Sequence, residues 1–273
     1  MNLRLPPDLE RSIFEIIALS HPTYITSLVR VAWRVKHWVE PMLYRVLVIT
    51  PTGEKYGGVP SIRATILLDR IDKKPSGFFP SSVRHLFPLN PAMGQLDAFA
   101  VDKILGRISP HSASAPARPQ VLAILAIDNL IGFEVDFTHA LFRNVTHLVI
   151  PLTQGYLCTE LAALPRLTHL AFCDPGLVPF IAETLATLPQ IKCVVFLPQR
   201  NMISSLAGLG HLDALLKDDR IVCAALGAEG TTTRDLIRGA AGGDDYWTRA
   251  DALITSRRAG TVDRSQLFVT SWY

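Results

Sequence analysis

Charge is scarce in this sequence. Asp, Glu, Lys and Arg make up only 19% of its 273 residues, against 49% in the hydrophobic set. Intrinsic disorder requires the opposite balance and is excluded. Long apolar runs are missing as well: no segment reaches the roughly 18 uninterrupted apolar residues of a membrane span. The richest stretch, Val121 to Phe137, is broken by Asp128, Glu134 and Asp136. The first residues include Arg4, Asp8, Glu10 and Arg11, where a secretory leader needs an apolar segment. Lys and Arg form no block and the net charge is only +3, which argues against nucleic acid as the main partner. The expectation is a soluble protein of the cytoplasm or nucleus, bound neither to membrane nor to nucleic acid.

Cysteine is equally sparse. Cys158, Cys173, Cys193 and Cys223 show no CxxC spacing and lie in apolar segments, the pattern of buried free thiols in a reducing compartment. Enzyme signatures are also lacking: there is no G-x-S-x-G elbow, no H-E-x-x-H and no P-loop. Gly208-Leu209-Gly210 falls inside a helical pattern instead of after a strand, where a dinucleotide fingerprint belongs. Gly227 to Thr231 follows a strand but has no lysine, and reads as a turn. No cofactor is expected, and no enzymatic activity.

What is present begins with helices. Asp8 to Leu19 places Leu9, Ile13, Ile16 and Ile17 at helical spacing behind Pro6-Pro7. A second helix is predicted from Thr23 to Val39, ended by Glu40-Pro41, with a strand from Leu43 to Ile49. So few helices bury little area alone and need a neighbour. One reading makes them simply a cap on the sheet that follows.

The other reading rests on particular residues. Leu5-Pro6-Pro7-Asp8-Leu9, Ile13-Phe14, then Leu28, Val31, Arg34 and Trp38, then Pro41, Leu43 and Tyr44 resemble an F-box. The wording is similar to F-box-like proteins abundant in mushroom-forming fungi, over residues 4 to 49. The second helix runs almost directly into the strand, which leaves little room for the family's third helix. The resemblance implies docking of a Skp-type adaptor through Leu5, Pro6, Leu9, Ile13, Phe14, Leu28 and Val31.

The rest of the chain repeats itself. An L-x-x-L-x-L pattern starts at Val145 and Leu167, 22 residues apart, then at Ile191 and Ile221, with another copy at Val121 and weaker ones at Val83 and Leu43. Helix-period segments lie between (155–164, 177–188, 203–216), and Pro165 and Pro189 follow two of them as stop signals. A strand and a helix every 20 to 30 residues is a leucine-rich-repeat arrangement. A doubly wound α/β sheet shows the same alternation without needing the repeated side-chain pattern. Residues 51–80 and 109–120 read as loops, with a helix over 95–108 between them. Thr231 to Arg258 reads as two helices split by Gly242-Gly243, Asp244-Asp245 serving as an N-cap for the second.

In such a strand the third residue of the pattern faces the sheet's inner surface. These residues are Arg45, His85, Ala123, His147, His169, Cys193 and Cys223. Adjacent strands stand about 4.8 Å apart, so His147, His169 and Cys193 should be neighbours. A metal site, a partner-binding surface and polar filler are the three uses of such a column. A straight row converges poorly on a metal, and none is expected.

The expected class is therefore α/β. Residues 1–42 form an F-box-like helical head, 43–230 an irregular leucine-rich-repeat-like α/β solenoid with mostly parallel strands, and 231–273 a C-terminal helical cap. The resemblance implies a non-enzymatic substrate receptor of a cullin-type ubiquitin ligase. Its partners would be the adaptor and an unknown protein substrate. The alternatives are a small-molecule enzyme on an α/β sheet, and an F-box-derived scaffold that no longer binds the adaptor.

Overall fold

A computed structural model describes residues 5–50, 52–53, 61–88, 103–104, 108, 137–138, 140–150, 161–172, 178–197, 218–225, 231–240, 243–263, 266 and 268–270. The chain is a mixed helix-and-strand fold whose strands pair in parallel.

Three helices form the head: α1 (Pro7–Ser20), α2 (Ile25–Leu28) and α3 (Trp33–Leu43). The single helix expected over 23–39 is thus two, because the chain becomes extended at Ala32 before α3 begins. Pro41 does not end α3. It sits in the last turn, where a missing N–H forfeits just one helical bond, and the helix runs on to Leu43. Ala18, Ile25, Val35 and Val39 make a small core, with Phe14, Leu28 and Trp38 packed around it.

Strands β1 (Val46–Ile49) and β2 (His85–Pro88) pair in parallel, Val46 opposite His85. Between them lie α4 (Ala64–Asp72) and α5 (Phe78–Ser82), where loop was expected. Helical spacing of Leu67 and Ile71, both buried, outweighs the Gly- and Lys-Pro-rich flanks. A second sheet holds β3 (His147–Ile150), β4 (His169–Phe172), β5 (Cys193–Phe196), β6 (Ile221–Ala225) and β7 (Phe268–Thr270), in that spatial order and all parallel. β7 lies in a stretch read from the sequence as helical cap. The strand at 121–126, the helices at 95–108 and 203–216, and most of that at 155–164 lie wholly or largely outside the described residues.

Every residue of β4 and β5 is buried, as befits a parallel sheet covered on both faces. Leu148, Leu170, Phe172, Val194 and Phe196 point to one face, where α4 and α6 (Val178–Thr187) supply Leu67, Ile71, Ile181 and Leu185. Val149, Ala171, Cys193 and Val195 point to the other, under α7 (Thr231–Ala240) and α8 (Tyr246–Arg258). Both cores continue into the first sheet through Leu47 and Leu86 on one side and Val48 and Phe87 on the other.

The crossover from β4 to β5 uses α6 on one face, and that from β6 to β7 uses α7 and α8 on the opposite face. Both step one strand in the same direction, so they have opposite hands. One of them departs from the right-handed rule that parallel crossovers obey almost without exception.

Candidate functional site

The pattern Thr-His-Leu occurs twice, at 146–148 and 168–170, and the parallel register sets the copies side by side, His147 opposite His169 and His169 opposite Cys193. The two imidazoles stack, ring centroids 4.0 Å apart and planes within 10°. Trp247 of α8 stands edge-on to both, at 5.2 Å from His147 and 5.7 Å from His169.

Each histidine is held at Nδ1 by the threonine before it: Thr146 Oγ1 at 2.8 Å from His147 and Thr168 Oγ1 at 2.7 Å from His169. Nε2 of His169 faces both carboxylate oxygens of Asp251, at 3.1 and 3.2 Å. A carboxylate only accepts, so Nε2 carries the proton. In the neutral ring Nδ1 accepts from the Thr168 hydroxyl. In the imidazolium it donates, and that hydroxyl turns to the Thr146 carbonyl, 3.2 Å away. The threonine thus serves either charge state.

The electrostatics separate the groups. Burial, with some help from His169, lowers the His147 pKa to about 3. Burial and the charges of Arg45 and Arg84 lower that of His85 to about 4. The hydrogen bond from His169 holds Asp251 below the usual carboxylate range. Burial raises Asp245. Cys193 is fully buried and its thiol is pushed far up, so it is no nucleophile.

Where α7 and α8 approach the sheet they leave a cleft of about 280 Å³, lined by His85, Phe87 and His147 from the strands and by Asp245, Trp247 and Asp251 from α8. Asp245 is the N-cap of α8, accepting from the Thr248 amide at 2.8 Å, as its sequence position predicted. Neutral imidazoles and carboxylates make this lining rich in hydrogen-bond acceptors. Trp247 Nε1 is buried beside it without a partner. Among the described residues no group of three or more His, Cys, Asp or Glu side chains is placed to hold a metal.

The expected column is therefore assembled in part. His147, His169 and Cys193 stand in register, but His169 and Cys193 are buried beneath α8 instead of facing open solvent. Cys223 is on the other side of the sheet. β2 to β5 all begin on the third residue of the repeated pattern, whereas β6 begins on the first, so Ile221 pairs with Val194 and Cys223 with Phe196. A three-residue slip is odd, and an odd slip reverses the faces. Burial raises the Cys223 thiol to about 11 there. Arg45 precedes β1 and its side chain lines a different cleft, next to the head. Ala123 lies outside the described residues. Sequence reasoning placed Trp247 in a cap helix but had no signal that Asp251 would meet His169, 82 residues away.

The other candidate surface is on the head. Leu5, Leu9 and Ile13 are 57, 54 and 45% exposed, and Ile16 continues their stripe along α1. Pro6 is exposed beside them, and so is Val31. Phe14 and Leu28 turn inward onto the head's own core. Trp33, unremarked in the sequence, is the most exposed large apolar residue described, at 78%.

No family model matches the chain. No curated protein and no solved structure matches it either. Among the described residues no helix is long and apolar enough to cross a membrane.

Proposed function

We propose that this chain is a protein-interaction module, an F-box-like head on an irregular leucine-rich-repeat-like sheet, acting as a substrate receptor for a cullin-type ubiquitin ligase. The observation that carries the reading is the α1 stripe of Leu9, Ile13 and Ile16, with Leu5 just before the helix, apolar and open to solvent. Water-exposed leucine and isoleucine on consecutive turns are a liability unless a partner covers them. The occupant is a Skp-type adaptor. The receptor would do no bond chemistry and would act by raising the local concentration of its captured protein. A scaffold that had lost the adaptor should have covered this stripe with its own chain, and Leu9 and Ile13 are left bare.

The solenoid part of the reading is supported by β2 to β5 each starting at the same point of the repeated pattern. With α7 and α8 lying over the inner face, the ubiquitination substrate would be taken at the rim and head side of the sheet.

Purified adaptor tests the proposal. Wild-type chain should retain it on a column, and Leu9→Asp with Ile13→Asp should lower retention at least about tenfold, the effect of about 1.4 kcal/mol. Both sites are exposed, so melting should stay within about 0.5 kcal/mol of wild type. Equal retention by the two chains ends the ligase reading.

A second reading is favoured by one feature, the cleft under α8. Its acceptor-rich wall and the aromatic Phe87 and Trp247 suit a small protonated amine.

A further inference from the structure

The two Thr-His doublets are built alike, but only one is complete. In each, the threonine hydroxyl lies within 2.8 Å of its histidine's Nδ1, and the rings stack within 10° of parallel. Equal anchoring in a parallel register turns both Nε2 atoms to the same side of the stack. Nε2 of His169 meets the Asp251 carboxylate there, at 3.1 Å. Among the described residues, His147 is hydrogen-bonded at Nδ1 and nothing bonds its Nε2. That ring forms part of the cleft wall, as does Asp251, whose side chain is still 53% exposed.

Both groups are acceptors at neutral pH. Burial keeps the His147 ring uncharged, its pKa about 3, so one ring nitrogen always carries a lone pair. Thr146 can accept from Nδ1–H, which leaves that lone pair on Nε2. Asp251 is ionised, its pKa held down chiefly by the bond from His169. A carboxylate offers about four lone-pair sites, so that bond does not exhaust it. The two histidines are one strand apart, about 4.8 Å, which puts Asp251 within reach of a group seated on Nε2 of His147. A neutral acceptor beside an ionised one suits a positively charged donor with several N–H bonds.

We propose, resting on the amine reading of this cleft, that its ligand is a primary amine whose ammonium donates one N–H to Nε2 of His147 and another to Asp251. This narrows the ligand from any protonated amine to a primary one. A quaternary ammonium, held by aromatic faces alone, has no N–H to give. Phe87, Leu236 and Ala240 add apolar wall, so the amine carries an apolar or aromatic end. At about 280 Å³ the cleft is at the small end of ligand sites.

The test is calorimetric titration of the full chain with phenethylamine, its trimethylammonium analogue and phenethyl alcohol, at fixed ionic strength. The primary amine should bind at least about tenfold more tightly than either of the others. His147→Phe keeps a flat ring in the stack but removes the acceptor. It should weaken phenethylamine at least about tenfold and leave the trimethylammonium analogue unchanged. Nitrogen resonances of the wild-type ring give a second readout: phenethylamine should hold His147 in its Nδ1–H form and shift Nε2. If His147→Phe melts early, that readout decides by itself. A trimethylammonium analogue as tight as phenethylamine would leave the amine reading standing and overturn the primary-amine proposal. Phenethyl alcohol binding as tightly, or neither amine binding, would end both. Unchanged phenethylamine affinity in folded His147→Phe, or an unmoved Nε2 resonance, would also overturn the proposal.

Discussion

His147 is a weak base inside the fold and an ordinary one outside it. Its pKa is about 3 in the folded chain, chiefly because burial disfavours the charged ring, against about 6.5 when unfolded. Between those values the unfolded chain binds a proton that the folded chain refuses. Stability contributed by the neutral ring is therefore complete above about pH 6.5 and falls as pH drops toward 3. His85, at about 4, acts in the same direction. Asp251, whose pKa is depressed by His169, adds a further loss once it too begins to protonate. Urea midpoints should fall steadily from pH 6.5 to 4.5, and His147→Gln with His85→Gln should flatten that slope. An unchanged slope would mean that other groups govern acid unfolding. At this scale the sequence revealed the Thr-His doublets. It could not reveal that their rings would be desolvated, since that depends on Trp247, a hundred residues downstream.

Elements α7 and α8 are joined by charge as much as by apolar contact. Asp235 is fully buried and accepts from the Tyr246 amide at 2.6 Å and from Arg249 at 3.0 Å. Arg257, also buried, donates to the carbonyls of Ile221, Asp219 and Gln266, tying the end of α8 to β6 and to the approach to β7. Gly260, at φ 71°, ends α8 in the left-handed conformation that glycine allows. Another glycine is fixed by contact: a Cβ on Gly239 would lie 2.0 Å from Oδ2 of Asp245. Gly239→Ala must therefore push aside the N-cap of α8, a loss of about 1 kcal/mol or more. Once Asp245→Ala has removed that carboxylate, the same glycine change should cost much less. A double-mutant cycle by denaturant unfolding measures the difference, and strict additivity would show that the cap moves freely. The N-cap itself was legible, since Asp245 before Tyr246-Trp247 fits the capping preference. The need for glycine at 239 was not, because it arises between two helices.

Across the whole molecule, stability should be uneven. The head's core is four buried residues with partly buried neighbours, whereas the two sheet cores hold dozens of fully buried side chains. Its described links to the body include the Lys74–Glu40 ion pair at 2.7 Å and the edge contacts of Tyr44 with Phe78 and Phe79. Amides of α1 and α3 should exchange through openings of lower free energy than those of β4 and β5, measured by hydrogen exchange over rising denaturant. Identical free energies would show that head and sheet unfold as one unit.

Periodicity and local chemistry determined much by themselves. Alternating helix and β-branched segments gave α/β class and parallel pairing, and repeated Thr-His-Leu segments set β3 beside β4 in register. The expectation of a β6 face went astray because Ile221-Val222-Cys223-Ala224-Ala225 is apolar throughout, so alternation marks neither face, and only pairing with Val194 decides it. Amphipathic α4 was hidden by breaker-rich flanks, and the short β7 by its small size. Tertiary structure alone decided that α7 and α8 lie over the inner sheet face, turning an expected open column into a covered cleft. The physical reason is range. Spacing along a chain specifies which side chains share a face, whereas burial, a raised or lowered pKa and an unpartnered N–H such as that of Trp247 depend on what distant segments bring to that face. The scarcity of charge foretold a large buried core; only the fold put α7 and α8 over the face expected to stay open.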